Sequence, residues 1–305
     1  MDSIRCSIGI IVHNEAANIA RLINALLKQK LVLVEIAEII VVSSASTDGT
    51  DDIVRALASE NPRIQLIIEK ERKGKSNAIN LFISSAESDI LIIESGDTLP
   101  DSDTVELLVS PFQKESVGMT GGRPVPENSP ATFTGYCVNL LWRLHHRMAL
   151  IAPKLGEMVA FRRIFTAIPA KSAVDEASIE ALIREKGLEL RYIPEAIIHN
   201  KGPETMVDFI RQRRRIATGH LWLKKTQHYA VSSQKGNLLF ILATSEFRDN
   251  PGQICRLWGA IFLEVFCRFL GWFDLVIRKK NPFKWEIATT TKNLSGDFAD
   301  NRKES

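Results

Sequence analysis

Ser7-Ile8-Gly9-Ile10-Ile11-Val12-His13-Asn14-Glu15 opens as an apolar run and breaks abruptly into polar residues. That is the pattern of a strand buried on both faces that ends in a loop. Similar short runs at 39–42, 64–68, 90–93 and 117–120 predict further strands of the same kind. Between the first two, Ile19, Leu22, Ile23, Leu26 and Leu27 fall on one helical stripe. A second helix should open near Thr47-Asp48-Gly49-Thr50, where hydroxyls and a carboxylate can cap its first turn. The βαβαβ rhythm predicts an α/β fold with a mainly parallel, Rossmann-like sheet, its ligand bound beyond the carboxyl ends of the strands. Neither GxGxxG nor GxxxxGK[ST] is present, so the ordinary dinucleotide and P-loop readings lose support.

After residue 101 the rhythm changes. Helices are expected over 136–151, 175–186 and 205–223, with a strand near 190–193, and no internal repeat is visible. A chain of 305 residues, 45% of them hydrophobic, can bury one large domain with an extension, or two joined halves. A net charge of +3 is too small to argue for a nucleic-acid partner. Cys6, Cys137, Cys255 and Cys267 are scattered, without metal-ligand spacing, which fits a reducing cytosol better than a disulfide framework. The N-terminal residues lack the pattern of a signal peptide, and no apolar run approaches the roughly 18 residues of a membrane span. Residues 291–305 read as a disordered tail.

Three of the predicted strands end in polar residues: His13-Asn14-Glu15, Ser43-Ser44-Ala45-Ser46-Thr47-Asp48, and Glu94-Ser95-Gly96-Asp97-Thr98. The first alone reads as readily as a loop with a helix cap as it does as a site, and each of the others could simply cap the turn that follows. Parallel strands bring all three to one edge, and that convergence favours a site.

At this point the chain resembles family 2 glycosyltransferases of the GT-A fold. Asn14-Glu15, the Ser-Thr-Asp-Gly-Thr turn, Lys73-Gly74-Lys75 with Asn77-Ala78, and Asp97-Thr98 stand in the family's order, typified by "YNE…DDGSTDGT…GKAGALN…DADT". The likeness covers residues 6–222. It implies that Asn14, Glu15 and Ser44 line the pocket for the base and ribose of a UDP- or GDP-linked sugar. Lys75 would lie near the diphosphate, and Asp97 would hold a divalent cation, Mg2+ or Mn2+. Ser43 and Ser44 replace the usual acids after the second strand, and Ser95 replaces the first acid of the DxD pair. Serine is a poor ligand for these cations, whereas one carboxylate aided by phosphates and water suits Mg2+.

In the second half, Asp175-Glu176 opens a helix, and acids there complement the helix dipole whatever else they do. The resemblance places an acid pair at this point whose second member is the general base, which implies Glu176 in that role with Asp175 as the fallback. Gln212-Arg213-Arg214-Arg215-Ile216 has the spacing of the family's QxxRW motif, with Ile216 in place of Trp. Gln212, Arg214 and Arg215 are then donor-binding candidates, and loss of the Trp weakens the case for a polymerising enzyme. Gly121-Gly122-Arg123-Pro124 also looks like a family segment, and Gly156, Glu157 and Phe161 belong to a segment resembling the acceptor-side "G…AFRR" loop. His145, His146 and His199 carry no metal-ligand spacing.

Toward the C-terminus, Trp258, Phe262, Phe266, Phe269, Trp272 and Phe273 gather on one side of a helix. Arg256, Glu264, Arg268, Asp274 and Arg278 fall on the opposite arc, and Arg278-Lys279-Lys280 ends the run. The pattern describes a helix lying in a membrane interface; packing on the protein's own core or on a second copy are the competing readings.

The expected organisation is a nucleotide-sugar-binding half (1–100), an acceptor half (101–222) and a helical interface extension (223–290). The expected function is inverting transfer to a lipid or lipid-linked acceptor, peripheral to the inner face of the cell membrane. A catalytically weakened scaffold and a sugar nucleotidyltransferase are the alternatives; the latter would usually carry a glycine-rich basic loop where His13-Asn14-Glu15 stands.

Overall fold

The computed structural model describes residues 3–170, 172–231 and 244–279. Its eight strands are β1 (Ile4–Val12), β2 (Val34–Ser44), β3 (Ile64–Glu69), β4 (Ile90–Ser95), β5 (Thr98–Pro100), β6 (Val117–Pro126), β7 (Val159–Arg162) and β8 (Glu189–Asn200). They form one sheet in the order β3-β2-β1-β4-β7-β6-β8-β5. β1 pairs in parallel with both β2 and β4, and β2 with β3. β7 runs antiparallel between β4 and β6, β8 is parallel to β6, and β5 is antiparallel to β8.

The chain leaves β1 toward one edge through β2 and β3, then returns to β4 on the other side of β1. That reversal creates a crevice at the carboxyl ends of β1, β2 and β4. The register aligns those ends: Val12 lies beside Ser43, and Ile11 beside Ser95. The polar segments after the three strands therefore share one edge, as their sequence pattern predicts.

Residues 6–12 of β1 are all buried, which is why the run is apolar without alternation. One core lies under α1 (Ile19–Leu27), where Leu22 and Ile23 meet Ile8 and Ile10. The second lies under α3 (Lys75–Ser85) and α6 (Asp175–Glu185), around Phe82, Phe161 and Ile179. Phe82 packs flat on the sheet because Gly9 leaves room: a Cβ there would meet the ring at 2.5 Å. Between the strands also lie α2 (Thr50–Glu60) and α4 (Thr104–Val109). Asp48 Oδ1 accepts the Thr50 N–H at 3.1 Å as α2 begins, but the N-cap itself is Gly49, which has no side chain to cap the first turn.

Three longer helices stand beside the acceptor-side strands: α5 (Phe133–Ile151), α7 (Met206–Thr226) and α8 (Ile254–Val276). α5 starts three residues before its predicted first residue because Thr132 caps it, accepting the Gly135 N–H at 3.0 Å. Tyr136, Phe209 and Leu257 join the three helices in a small third core. α7 and α8 approach closely at Gly271, where a Cβ would meet that of Ala217 at 2.7 Å.

The sequence reading of the C-terminal helix is reversed in one respect. The middle of its charged arc turns onto the protein, where Arg213 of α7 pairs with Glu264 at 2.7 Å and Arg214 pairs with Asp274, while Arg256 and Arg278 at its ends stay exposed. The aromatic arc faces outward. The parts of the expected extension at 232–243 and 280–290, Lys280 included, and the tail at 291–305 lie outside the described residues.

Candidate active site

The strand-end loops are laced together by hydrogen bonds. Asn14 takes φ 56°, a left-handed conformation asparagine tolerates better than most residues. Its amide oxygen accepts the Thr47 N–H at 2.8 Å, and its own N–H reaches Ser46 Oγ at 3.1 Å. Glu15 N–H donates to Thr50 Oγ1 at 2.9 Å. Asn14 thus staples the second loop to the first, while His13 and Glu15 line the cleft. His13 Nδ1 lies 2.7 Å from the Ser44 carbonyl, which can only accept, so Nδ1 carries the proton. Ser44 also lines the cleft, and its hydroxyl donates to Glu69 at 2.6 Å. The other Glu69 oxygen accepts from Asn77 at 2.5 Å. With its proton committed to Glu69, Ser44 presents lone pairs toward the cleft.

The ionisable centre lies beside these loops. Gly74 turns with φ 102° and starts α3, so Lys75 stands at the helix N-terminus. Its Nζ donates to Glu176 at 2.9 Å and to Ser95 at 3.2 Å, linking α3, β4 and α6. Burial raises the proton affinity of Glu176, but the charge and hydrogen bond of Lys75 outweigh it and hold the carboxyl below its ordinary value. Asp175 points elsewhere: it is 1% exposed, and its Oδ1 accepts from Ser76 at 2.7 Å. Its Oδ2 has no hydrogen-bond partner, and burial pushes the carboxyl up to about 6 against the pull of Lys75. Arg215 is brought within electrostatic range of Asp175, Glu176, Asp97 and Glu157; burial lowers it to about 10.

Acid groups crowd the far side. Glu94 is buried and accepts from Thr98 at 2.8 Å, and burial pushes it to about 8. Glu157, at φ 57°, is held by Asn200 at 3.1 Å; burial, then the charges of Asp97 and Glu176, push it to about 7. Cleft volume is about 1040 Å³, enough for a nucleotide-sized ligand with room beyond it.

Residues 7–176 match the family profile described as Glycosyl transferase family 2, more than half of the 305 residues. The chain belongs to this family. Among its curated relatives, the probable glycosyltransferase YdaM of Bacillus subtilis is 27% identical over 72% of this chain and 56% of its own length. Glycosyltransferase AglE of Haloferax volcanii is 33% identical over 38% of each chain. The poly-beta-1,6-N-acetyl-D-glucosamine synthase of Staphylococcus aureus is 23% identical over 82% of this chain and 61% of its own. The chain thus spans less than two thirds of the length of each. Among solved structures, the mannosyltransferase PcManGT of Pyrobaculum calidifontis, in complex with GDP-Man and Mn2+, matches with a TM-score of 0.60 at 21% identity, over 92% of this chain and 82% of that one. Glucosyl-3-phosphoglycerate synthase of Mycobacterium tuberculosis, bound to UDP and Mn2+, matches with a TM-score of 0.52 at 20% identity, over 71% and 77%. These likenesses establish the GT-A fold.

Within this family 2 glycosyltransferase, the cleft gathers Glu15, Ser44, Lys75, Asp97, Gly156, Glu157, Glu176, Gln212, Arg214 and Arg215. Three expected site residues, Asn14, Asp175 and Phe161, do not line it, and a fourth, Arg214, lines it with its guanidinium already engaged. Phe161 is fully buried on β7, stacked on Phe165 at 5.6 Å, because alternation along the strand sends it into the second core. Arg214, although at the cleft margin, is engaged by Asp274 of α8. Among the described residues no three His, Cys, Asp or Glu side chains are grouped to hold a metal. The donor set still fits a divalent cation bound through Asp97 with phosphate oxygens and water, since Mg2+ commonly uses few protein ligands. Burial is the main cause of the raised proton affinity of Glu157; the charges of Asp97 and Glu176, which add to it, are ones such a cation would offset. Sequence reasoning missed Glu69 behind Ser44, Ser76 beneath Asp175, and Asn200 against Glu157. Ser76 adjoins Lys75 in a segment already singled out, whereas nothing in sequence marks Glu69 or Asn200.

Proposed function

We propose that this family 2 glycosyltransferase moves a sugar from a nucleoside-diphosphate sugar to an acceptor hydroxyl by single inverting displacement. The observation that carries the reading is Glu176 in the cleft, held by a lysine that also touches the β4 end. Glu176 takes the acceptor proton; the oxygen attacks the anomeric carbon as its bond to the diphosphate breaks, and attack opposite the leaving group inverts that centre. In the donor-free arrangement Lys75 suppresses the base. A diphosphate that draws the ammonium toward itself would release Glu176 and raise its proton affinity, so donor binding arms the base. Lys75 and Arg215 neutralise charge on the departing diphosphate.

A divalent cation, when bound at Asp97, would supply Lewis-acid stabilisation of the same leaving group. The GDP-Man and UDP complexes of the structural neighbours, both with Mn2+, support this donor class and cation. We assign donor binding to residues 1–100, acceptor binding to 101–222, and membrane contact to the extension at 223–290. A lipid or lipid-linked acceptor is supported by the outward aromatic arc of α8. Titration with a panel of UDP- and GDP-sugars in the presence of Mg2+ or Mn2+, followed for binding and slow hydrolysis, tests the reading. Binding of one or a few donors with cation-dependent release of the nucleotide is expected; a protein that binds none of them is not this enzyme.

A further inference from the structure

Past the reaction centre the cleft continues toward α5, α7 and α8, where its polar groups have no part in the transfer step. Lys154 enters this region just after α5. Its ammonium makes no hydrogen bond or ion pair among the described residues, although Arg213, Arg268, Glu180 and Glu264 are all in electrostatic range. Burial and then the repulsion of Arg213 push it down to about 8. The acids nearby are already engaged. Glu264 is shared between Arg213 at 2.7 Å and Arg268 at 2.8 Å. Glu180 accepts the Leu155 N–H at 2.6 Å and the Tyr229 hydroxyl at 3.0 Å. His145, 8% exposed and lining the same cleft, has an Nδ1 with no hydrogen-bond partner. His220 lies among the cations, and burial holds it neutral.

Three cations thus face two carboxylates in a partly desolvated chamber, with the Lys154 ammonium unpaired among the described residues. A small hollow of about 150 Å³ lies between α7 and α8, lined by Arg213, His220, Glu264, Arg268 and Trp272. A half-buried cation flanked by two further cations is unfavourable unless an anion offsets them. Phosphate matches the requirement, because its oxygens accept several hydrogen bonds at once from Lys and Arg donors. We propose that the chamber formed by Lys154, His145, His220, Arg213 and Arg268 binds a phosphate group carried by the acceptor. This rests on the transferase reading and narrows its acceptor to a phosphorylated molecule. Trp272, 43% exposed at the rim, begins the outward aromatic row of α8, so a lipid chain attached to that phosphate has an apolar surface to follow.

Calorimetric titration of the full chain with inorganic phosphate, dodecyl phosphate and uncharged octyl glucoside tests the assignment, with UDP and GDP titrated in parallel. Lys154→Met removes an unpaired charge and should fold with an unchanged or higher melting temperature; Lys154→Gln serves if it does not. Either variant is expected to weaken both phosphate probes at least tenfold while UDP and GDP affinities stay within twofold. Dodecyl phosphate tighter than inorganic phosphate by tenfold or more identifies a lipid-linked source; equal affinity identifies a water-soluble phosphorylated acceptor. Phosphate binding indifferent to Lys154, octyl glucoside binding as well as dodecyl phosphate, or nucleotide affinity falling in step with phosphate overturns the proposal. Absence of any nucleotide binding in the wild-type chain would count against the transferase reading instead.

Discussion

Asp175 and Glu176 are adjacent in sequence but not equivalent in chemistry. Asp175 is enclosed with Ser76 against it, whereas Glu176 reaches the cleft and Lys75. We therefore expect Glu176→Gln to abolish transfer while donor affinity stays within a few-fold, measured by single-turnover assays and nucleotide titration. Near-normal turnover in that variant, with Asp175→Asn inactive, would transfer the role. The acids opposite make a second expectation. Burial raises Glu94 from 4.5 to about 8, so the folded state holds the proton more tightly than the unfolded chain. That contribution to stability is complete below the unfolded value and is lost as pH rises toward about 8. Between about pH 5 and about 8 stability should fall with a slope of up to about 1.4 kcal/mol per pH unit from this group, and Glu94→Gln should flatten the melting curve. Parallel curves for wild type and variant would refute it. The order of Asn14, Lys75, Asp97 and Glu176 along the chain pointed to the candidate site region. It did not disclose that Lys75 holds Glu176 across 101 positions, because that contact is made by the sheet order rather than by local pattern.

α8 shows how far periodicity carries and where it stops. Two arcs of opposite character are legible from spacing alone, and the helix forms over 254–276 as that spacing predicts. Which arc turns inward is not legible, since it depends on Arg213 and Arg214 presenting their guanidiniums from another helix. The strands at 39–42 and 90–93 were readable for the opposite reason: burial on both faces makes them apolar whatever their neighbours are. Of the late strands, β6 was read at 117–120, whereas β7 was missed, being only four residues long, and β8 was read over 190–193 alone, because it mixes exposed with buried positions. If ion pairs hold α8, Glu264→Gln with Asp274→Asn should loosen it at a cost of about 3 kcal/mol, the scale for breaking a buried pair. Cys267, fully buried on α8, reports the event. Native wild-type protein should be alkylated at exposed Cys255 alone, and the double variant at Cys267 as well. Unchanged protection of Cys267 would mean that apolar packing, not charge, seats the helix.

At the scale of the molecule, the outward face of α8 is, among the described residues, the surface least suited to water. Trp258 is 60% exposed, Phe262 75% and Phe269 56%, and Val265, Phe266 and Trp272 lie among them. Contiguous apolar exposure of this kind marks an interaction surface. Among the described residues no helix is long and apolar enough to cross a membrane, so contact with a bilayer would be in the plane of its interface. Arg278 and Lys279, both exposed, close the helix with positive charge, and each basic residue near an anionic surface adds about 1 kcal/mol. The inward ion pairs leave the aromatic side of α8 facing outward, as the proposed lipid contact requires. Co-sedimentation with liposomes is therefore expected, stronger with anionic lipid and weaker at high salt. Phe262→Glu with Phe269→Glu should release the protein into the supernatant with little change in melting temperature, since both side chains are already solvent-facing. Wild-type protein that ignores liposomes of every composition, paired with a double variant that loses a dimer, would assign the aromatic face to a second copy of the chain. The case for a lipid-borne acceptor would then rest on the cationic chamber alone.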